Sequence, residues 1–296
     1  MNKAISKLLL VLIGSLCAIG LRAVSADNSL EDHANEFVTR GAVTDPPGDI
    51  SGLDAGVVDV AELLLVDPAG HRTGFDPASG EVLQDIPRSA YFRDRLANDT
   101  TGEPATETTY SVGVFQPSQG TYRVHLSGLK LGLYKLGVRT FSRDGSDQPP
   151  LKLPGVAGPG SASFFQLAFV STPGAVSTLV RVATFESTLA DISNSRELEL
   201  IDSAGIAKSL SRKIQAAAEA AARGRTEASQ KILRAFKRQV NAQAGKHIHG
   251  TAVQILLEDA DSLLSQLACD HDDDDDDHDD CDDDDDDDDD RRDQRP

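Results

Sequence analysis

The chain has 296 residues, of which 39% are hydrophobic and 26% charged, with 3 cysteines, no tryptophan and a formal net charge of −19. The charge is unevenly placed: residues 269–296 hold 19 Asp and 3 Arg, a net of −16, the leader carries +3 from Lys3, Lys7 and Arg22, and the remainder carries −6. This acidity argues against nucleic acid as a partner and favours cations or basic surfaces.

Lys3 and Lys7 precede an apolar run from Leu8 to Leu21, and Val24-Ser25-Ala26 offers the small residues a signal peptidase prefers. Residues 1–26 are therefore read as a secretory signal cut after Ala26, and the protein is expected to be secreted or periplasmic. The apolar run is shorter than the ~20 residues of a membrane span, which disfavours a retained anchor. Leu16 before Cys17 disfavours a lipoprotein, and no second span follows. Without leader and tail, 242 residues remain (27–268), read as two modest domains.

Residues 27–49 are polar, end in Asp45-Pro46-Pro47-Gly48, and are read as a flexible N-terminal arm. Residues 50–186 are read as a β-sandwich. From Gly120 to Phe141, Tyr122, Val124 and Leu126 alternate with Thr121, Arg123 and His125, and a second β-rich run begins at Leu133. The spacing predicts an antiparallel pair within one sheet. Ala61 to Val66, Tyr110 to Phe115, Ser163 to Val170 and Leu179 to Phe185 are expected to supply the facing sheet.

Asp67-Pro68-Ala69-Gly70 and Asp76-Pro77-Ala78-Ser79-Gly80 have the chemistry of tight turns. Carboxylates at the strand ends of exported sandwiches also gather around Ca²⁺, which makes Asp67, Asp76, Asp144 and Asp147 candidate loop ligands, with Asp94 and Asp99 in a further loop. Arg93 to Thr109 reads as a long polar loop in which Asn98-Asp99-Thr100 is formally a glycosylation acceptor. The Pro- and Gly-rich stretch from Asp144 to Gly160 reads as a crossing loop of the kind that binds ligands.

After Phe185 the hydrophobic period changes from 2 to 3.6. The polar run ADISNSR marks the expected joint, with Asp191 to Asp202 able to add a short leading helix. Ile206, Leu210, Ile214, Ala217 and Ala221 form one helical face that stops at Gly224. Ala228, Ile232, Leu233, Phe236 and Val240 form a second, capped by Thr226 and ending at Gly245. Val253, Leu256, Leu257, Ala260, Leu263, Leu264 and Leu267 form a third, capped by Thr251. The expected fold is thus α+β in two domains, an antiparallel β-sandwich followed by an antiparallel three-helix bundle (187–268) and a disordered poly-Asp tail (269–296).

The passages LLLVDPAGHRTGFDPASGEVLQDIP, GTYRVHLSGLKLGLYKLGV and STPGAVSTLVRVATFESTLADISNS resemble a β-sandwich module recurring in secreted bacterial proteins. IAKSLSRKIQAAAEAAARG, ILRAFKRQVNAQAGKHI and AVQILLEDADSLLSQL resemble the FIMAH-type helical domain found at the C-termini of such proteins. The resemblance covers Gly52 to Leu267 and implies export and an accessory, non-catalytic role, with no active-site residues to carry over. The poly-Asp tail and the lack of a catalytic domain beside these modules depart from the pattern.

His-Glu-x-x-His, Gly-x-Ser-x-Gly, Walker and Rossmann patterns are all absent from the sequence. His125 reads as a surface histidine on a strand, and His247 and His249 as loop histidines. In the tail, Asp272, Asp273, Asp274, Asp275, Asp276, Asp277, Asp282, Asp283, Asp284 and Asp285 are candidate weak ligands for divalent cations. Their expected affinity is that of the weaker extracellular sites, roughly 10⁻⁴ to 10⁻³ M. Cys269 and Cys281 form a disulfide, stay unpaired or bond between molecules, or join His271 and His278 around Zn²⁺; export favours the disulfide.

The function expected from all this is a secreted non-catalytic binding or accessory protein that contacts an extracellular or cell-surface ligand, with weak divalent-cation binding by the tail. It requires no cofactor, and Ca²⁺ is the one candidate. The alternatives are a calcium- or mineral-binding protein acting through the tail and Asp-rich loops, and a metal-dependent hydrolase of unrecognised type.

Overall fold

Leu53, Ala55 and Val57 alternate with residues that point away from the core, and this period of two makes Gly52–Val58 the first strand, β1. The computed structural model describes residues 48–95 and 107–269. The expected leader, most of the N-terminal arm, the Asn98 acceptor and the tail beyond Cys269 lie outside them. Ten further strands follow: β2 (Ala61–Val66), β3 (Arg72–Asp76), β4 (Glu81–Gln84), β5 (Ser89–Asp94), β6 (Thr109–Phe115), β7 (Gly120–Gly128), β8 (Gly132–Phe141), β9 (Leu151–Ala157), β10 (Ala162–Phe169) and β11 (Thr178–Val182).

All pairings are antiparallel, in a five-stranded sheet of order β5-β6-β1-β8-β9 and a six-stranded sheet of order β11-β10-β7-β2-β3-β4. Leu53, Val112, Val114, Leu136 and Val138 of the first sheet share one core with Leu63, Leu65, Val124, Leu126, Phe165 and Leu167 of the second. Each such side chain contributes about 1.5–3 kcal/mol by leaving water.

The alternation around Tyr122 and Leu136 gives the two strands expected there, but they do not pair. β7 lies in the six-stranded sheet and β8 in the five-stranded one. Between them the amides of Leu129 and Lys130 bond to the carbonyl of Val60, and that of Gly128 to Ser161. The link therefore carries the chain across the sandwich, and the apolar faces of the two strands meet across the core instead of lying side by side. The expected crossing loop from Asp144 to Gly160 likewise contains β9. Its alternation is masked by Pro154 and Gly155, and the proline is tolerated because β9 is a sheet edge.

Among the described residues four helices, and not three, follow the sandwich: α1 (Phe185–Glu197), α2 (Ala204–Ala222), α3 (Thr226–Gln243) and α4 (Gly250–Cys269). The polar run expected as a joint lies inside α1. Thr184 and Ser187 close a capping box at its start, and Ser187, Thr188, Asp191, Ile192, Asn194 and Ser195 are buried. Leu210, Ile214 and Ala217 of α2, Leu233, Phe236 and Val240 of α3, and Leu256, Ala260 and Leu263 of α4 form the second core with Ile192.

α2 ends as the sequence indicates. Gly224 adopts φ +67°, its amide bonds to Ala221 and that of Arg225 to Ala220, the paired bonds of a Schellman turn. These bonds make Arg225 the cap of α3, so Thr226 is its first helical residue and not the expected cap. Similarly α4 begins at Gly250, one residue before the expected cap Thr251.

Two glycines provide a test. At Gly74 (φ +124°) a Cβ would sit 2.2 Å from the Leu63 carbonyl oxygen, whereas at Gly224 nothing lies within 4 Å and only the left-handed conformation opposes a side chain. Gly224→Ala should cost about 1–2 kcal/mol. Gly74→Ala should cost clearly more, because the backbone of β2 must move. Denaturant unfolding of the two variants checks the order.

Candidate functional site

Three of the aspartates expected to bind calcium bond within their own turns, and the fourth pairs with a strand arginine. Asp67 Oδ1 accepts from the His71 amide at 2.8 Å, and its Oδ2 lies 2.9 Å from His71 Nδ1. Asp76 accepts from the Ala78 amide and Ser79 hydroxyl and pairs with Arg72 at 3.2 Å, and these bonds hold its carboxyl below the usual range. Asp144 accepts from the amide and hydroxyl of Ser146, with the same consequence. Asp147 pairs with Arg139 at 3.0 Å.

Asp67 and Asp76 flank β3 at opposite ends, while Asp144 and Asp147 share the β8–β9 connection of the other sheet. Among the described residues no group of three or more His, Cys, Asp or Glu is placed to hold a metal. The tail candidates Asp272 to Asp277 and Asp282 to Asp285 lie outside those residues. His247 Nδ1 lies 2.8 Å from Asp202 Oδ1 at the surface. His125 is half-buried, edge-on to Phe164 with ring centroids 5.0 Å apart, and burial lowers its pKa.

What the fold assembles instead is a buried charge cluster between sandwich and helices. Arg181 stands on β11, and its side chain is only 4% exposed. Its Nη1 lies 3.7 Å from Asp191 Oδ2 of α1, and its Nε 3.4 Å from Glu258 Oε2 and 3.6 Å from Asp259 Oδ1 of α4. Nη2 donates to the Pro154 carbonyl of β9, and the guanidinium lies 5.1 Å from the Phe165 ring centroid. Burial alone would depress the Arg181 pKa, but the surrounding acidic groups raise it, so the guanidinium stays charged. The phenol of Tyr134 is close by, and burial pushes it up to about 12.

Two carboxylates at the centre face one guanidinium. Burial, then the charge of Asp259, holds Asp191 well above the ordinary carboxylate range. Burial raises Asp259 to about 6, against the pull of Arg181. With both ionised, the oxygens of Asp259 find no hydrogen-bond donor among the described residues. Burial raises both carboxyls, which favours a proton held between Asp191 and Asp259, and such a proton supplies that donor.

Sequence reasoning placed Arg181 in a strand and Asp191 in a polar run, and left Asp259 off the apolar face of α4. The available signal was the spacing of Ile255, Asp259, Ser262 and Gln266, a second stripe along α4. Ser262 Oγ accepts from the Ala183 amide at 2.9 Å and Gln266 Nε2 donates to the Ala183 carbonyl at 2.9 Å, so this stripe faces the sandwich. A further shifted carboxyl, Asp54, lies between Gly113 and Arg139 on the face of β1 turned away from the core; burial raises it to about 6, opposed by Arg139.

Residues 185–265 match the model of the FIMAH domain, which falls on the four helices. No curated protein and no solved structure matches the chain. No helix among the described residues is long and apolar enough to cross a membrane.

The junction predicts a pH dependence with a definite sign. A carboxyl whose pKa is raised on folding binds more protons folded than unfolded, so its contribution falls as pH rises from about 4 through about 6. Thermal unfolding should therefore show stability falling over that interval. Asp259→Asn should flatten this decline, raising the melting temperature at pH 8 and leaving it nearly unchanged at pH 5. Arg181→Met, which strands the carboxylates, should cost about 3–5 kcal/mol at neutral pH.

Proposed function

We propose that the chain is an exported, non-catalytic binding or accessory protein in which the sandwich and the FIMAH-type helical domain act as one body toward an extracellular or cell-surface ligand. The observation that carries this reading is the FIMAH match over residues 185–265, on helices whose α1 and α4 are joined to the sandwich through Arg181. A joint closed by buried charge transmits position from one domain to the other, which suits a module that holds a ligand or a surface in place. The basic leader segment, its apolar run and the small residues before Asp27 support export.

Immobilised cell-wall and extracellular polymers, each incubated with the mature chain, provide the test. Saturable retention on one polymer class with no released product is expected. Turnover of any of them would overturn the reading.

A second activity is supported by the composition of the tail. Successive carboxylates at most about 3.6 Å apart repel one another, and a divalent cation relieves that repulsion. Equilibrium dialysis should show several weakly held calcium ions per chain, in the roughly 10⁻⁴ to 10⁻³ M range. Replacing all nineteen aspartates of residues 270–296 by Asn should remove most of them; full retention would exclude the tail as the carrier.

A further inference from the structure

α2 and α3 concentrate positive charge. Between Ala204 and Lys246 the sequence has ten Lys and Arg residues against Glu219 and Glu227 alone. On α2, residues three and four apart form a stripe from Gly205 to Ala216 that faces α3 across an open groove of ≈ 790 Å³, with Lys208, Arg212, Lys213 and Lys231 along it. Lys208 and Arg212 are exposed and meet no carboxylate among the described residues. Lys213 is held by neutral acceptors, Ser209 Oγ at 3.3 Å and Gln239 Oε1 at 2.6 Å. Lys231 has only an exposed pair with Glu227 at 3.1 Å, a kind worth little.

The charge that answers this groove is in the same chain. Residues 270–296 carry a net of −16 and begin where α4 ends. The last turn of α4 lies beside the first turns of α3, where Gln230 Nε2 donates to the Leu267 carbonyl at 3.3 Å. Gln230 is the neighbour of Lys231, so the chain leaves the helical domain near one end of the groove.

From Ala216 to Gly205 the groove is roughly 17 Å long at ~1.5 Å per residue. About five or six extended residues cover that length, and 27 follow Cys269. A tether this short holds the tail at an effective concentration in the millimolar range, on the order that many weak ionic contacts need and above that of a free competitor.

We propose that the acidic tail docks in cis in the α2/α3 groove, its carboxylates set against Lys208, Arg212, Lys213 and Lys231. Such an interaction falls within the ~8 Å screening length at physiological salt and is lost when that length shrinks.

Zero-length carbodiimide coupling of the full mature chain tests this, because it joins carboxylates to amines only where they touch. At low salt we expect a monomeric product in which Lys208 and Lys213 are linked to tail peptides and lost as trypsin sites, while the sandwich lysines Lys130, Lys135 and Lys152 are not. Raising the salt to about 0.5 M should reduce that product at least about fivefold. In the full chain carrying Lys208→Glu and Arg212→Glu, tail coupling at Lys213 should fall to a similar degree. If the double substitution disturbs the helical circular dichroism, Lys208→Gln with Arg212→Gln replaces it. Coupling spread evenly over the sandwich lysines, coupling only between two molecules, or coupling indifferent to both salt and substitution would overturn the proposal.

Discussion

The guanidinium of Arg181 has lost almost all contact with water, and its replacements come from β9, β10, α1 and α4 together. Removing an ion from water costs several kcal/mol, and the carboxylates, the Pro154 carbonyl and the Phe165 ring together offset that cost. The sandwich supplies the cation and the helices supply the anions. Neither half can keep its share of the cluster buried without the other. The relative placement of the two folding units is thus fixed by charge and by the polar contacts at Ala183, more than by a continuous apolar core, since the two hydrophobic clusters share no residue.

α4 accounts for how one helix serves both. Leu256, Ala260, Leu263 and Leu267 face the helical core, while Asp259, Ser262 and Gln266 face β11 and the segment after it. A helix apolar on one stripe and neatly polar on another normally turns the polar stripe to solvent. Here the polar stripe is consumed by a protein surface that offers a guanidinium and an unpaired strand-end amide and carbonyl. The FIMAH match ends at residue 265, about one turn before this helix ends.

Much of the fold was legible because it rests on local rules. Alternation marked β7 and β8, short β-rich runs marked β2, β6 and β10, and glycine-terminated apolar faces marked α2 and α3, because a left-handed glycine after a helix leaves a signature in a single residue. Strand partners were not legible. Nothing in the residues of β7 and β8 says that the Val60 carbonyl will capture the amides of the link between them and so send β8 to the opposite sheet. β1 was missed because its inward side chains Leu53, Ala55 and Val57 alternate with glycines and an aspartate that read as loop, and β9 because Pro154 and Gly155 hide its strand pattern. The charge cluster was missed for a related reason: Arg181, Asp191 and Asp259 are far apart in sequence, and each looks like an ordinary surface charge until the topology removes its water. The loop aspartates show the opposite ambiguity, since turn chemistry and calcium chemistry ask for the same residue; Asp67, Asp76 and Asp144 bond within their turns and Asp147 pairs with Arg139.

The repeated passage of the chain between sheets has a consequence for how the protein is made. β1 pairs with β6 and β8, partners that follow it by more than fifty residues, while the helices pack mainly on their neighbours in sequence. Closing such distant pairs costs chain entropy before any contact is gained, so the slow step of folding belongs to the sandwich and the helical domain can form quickly. Until the sandwich is complete, Asp191 and Asp259 face water and ionise like ordinary carboxylates. Docking buries both carboxyls and shifts their equilibrium toward the protonated form, so the final assembly of this molecule is linked to proton binding.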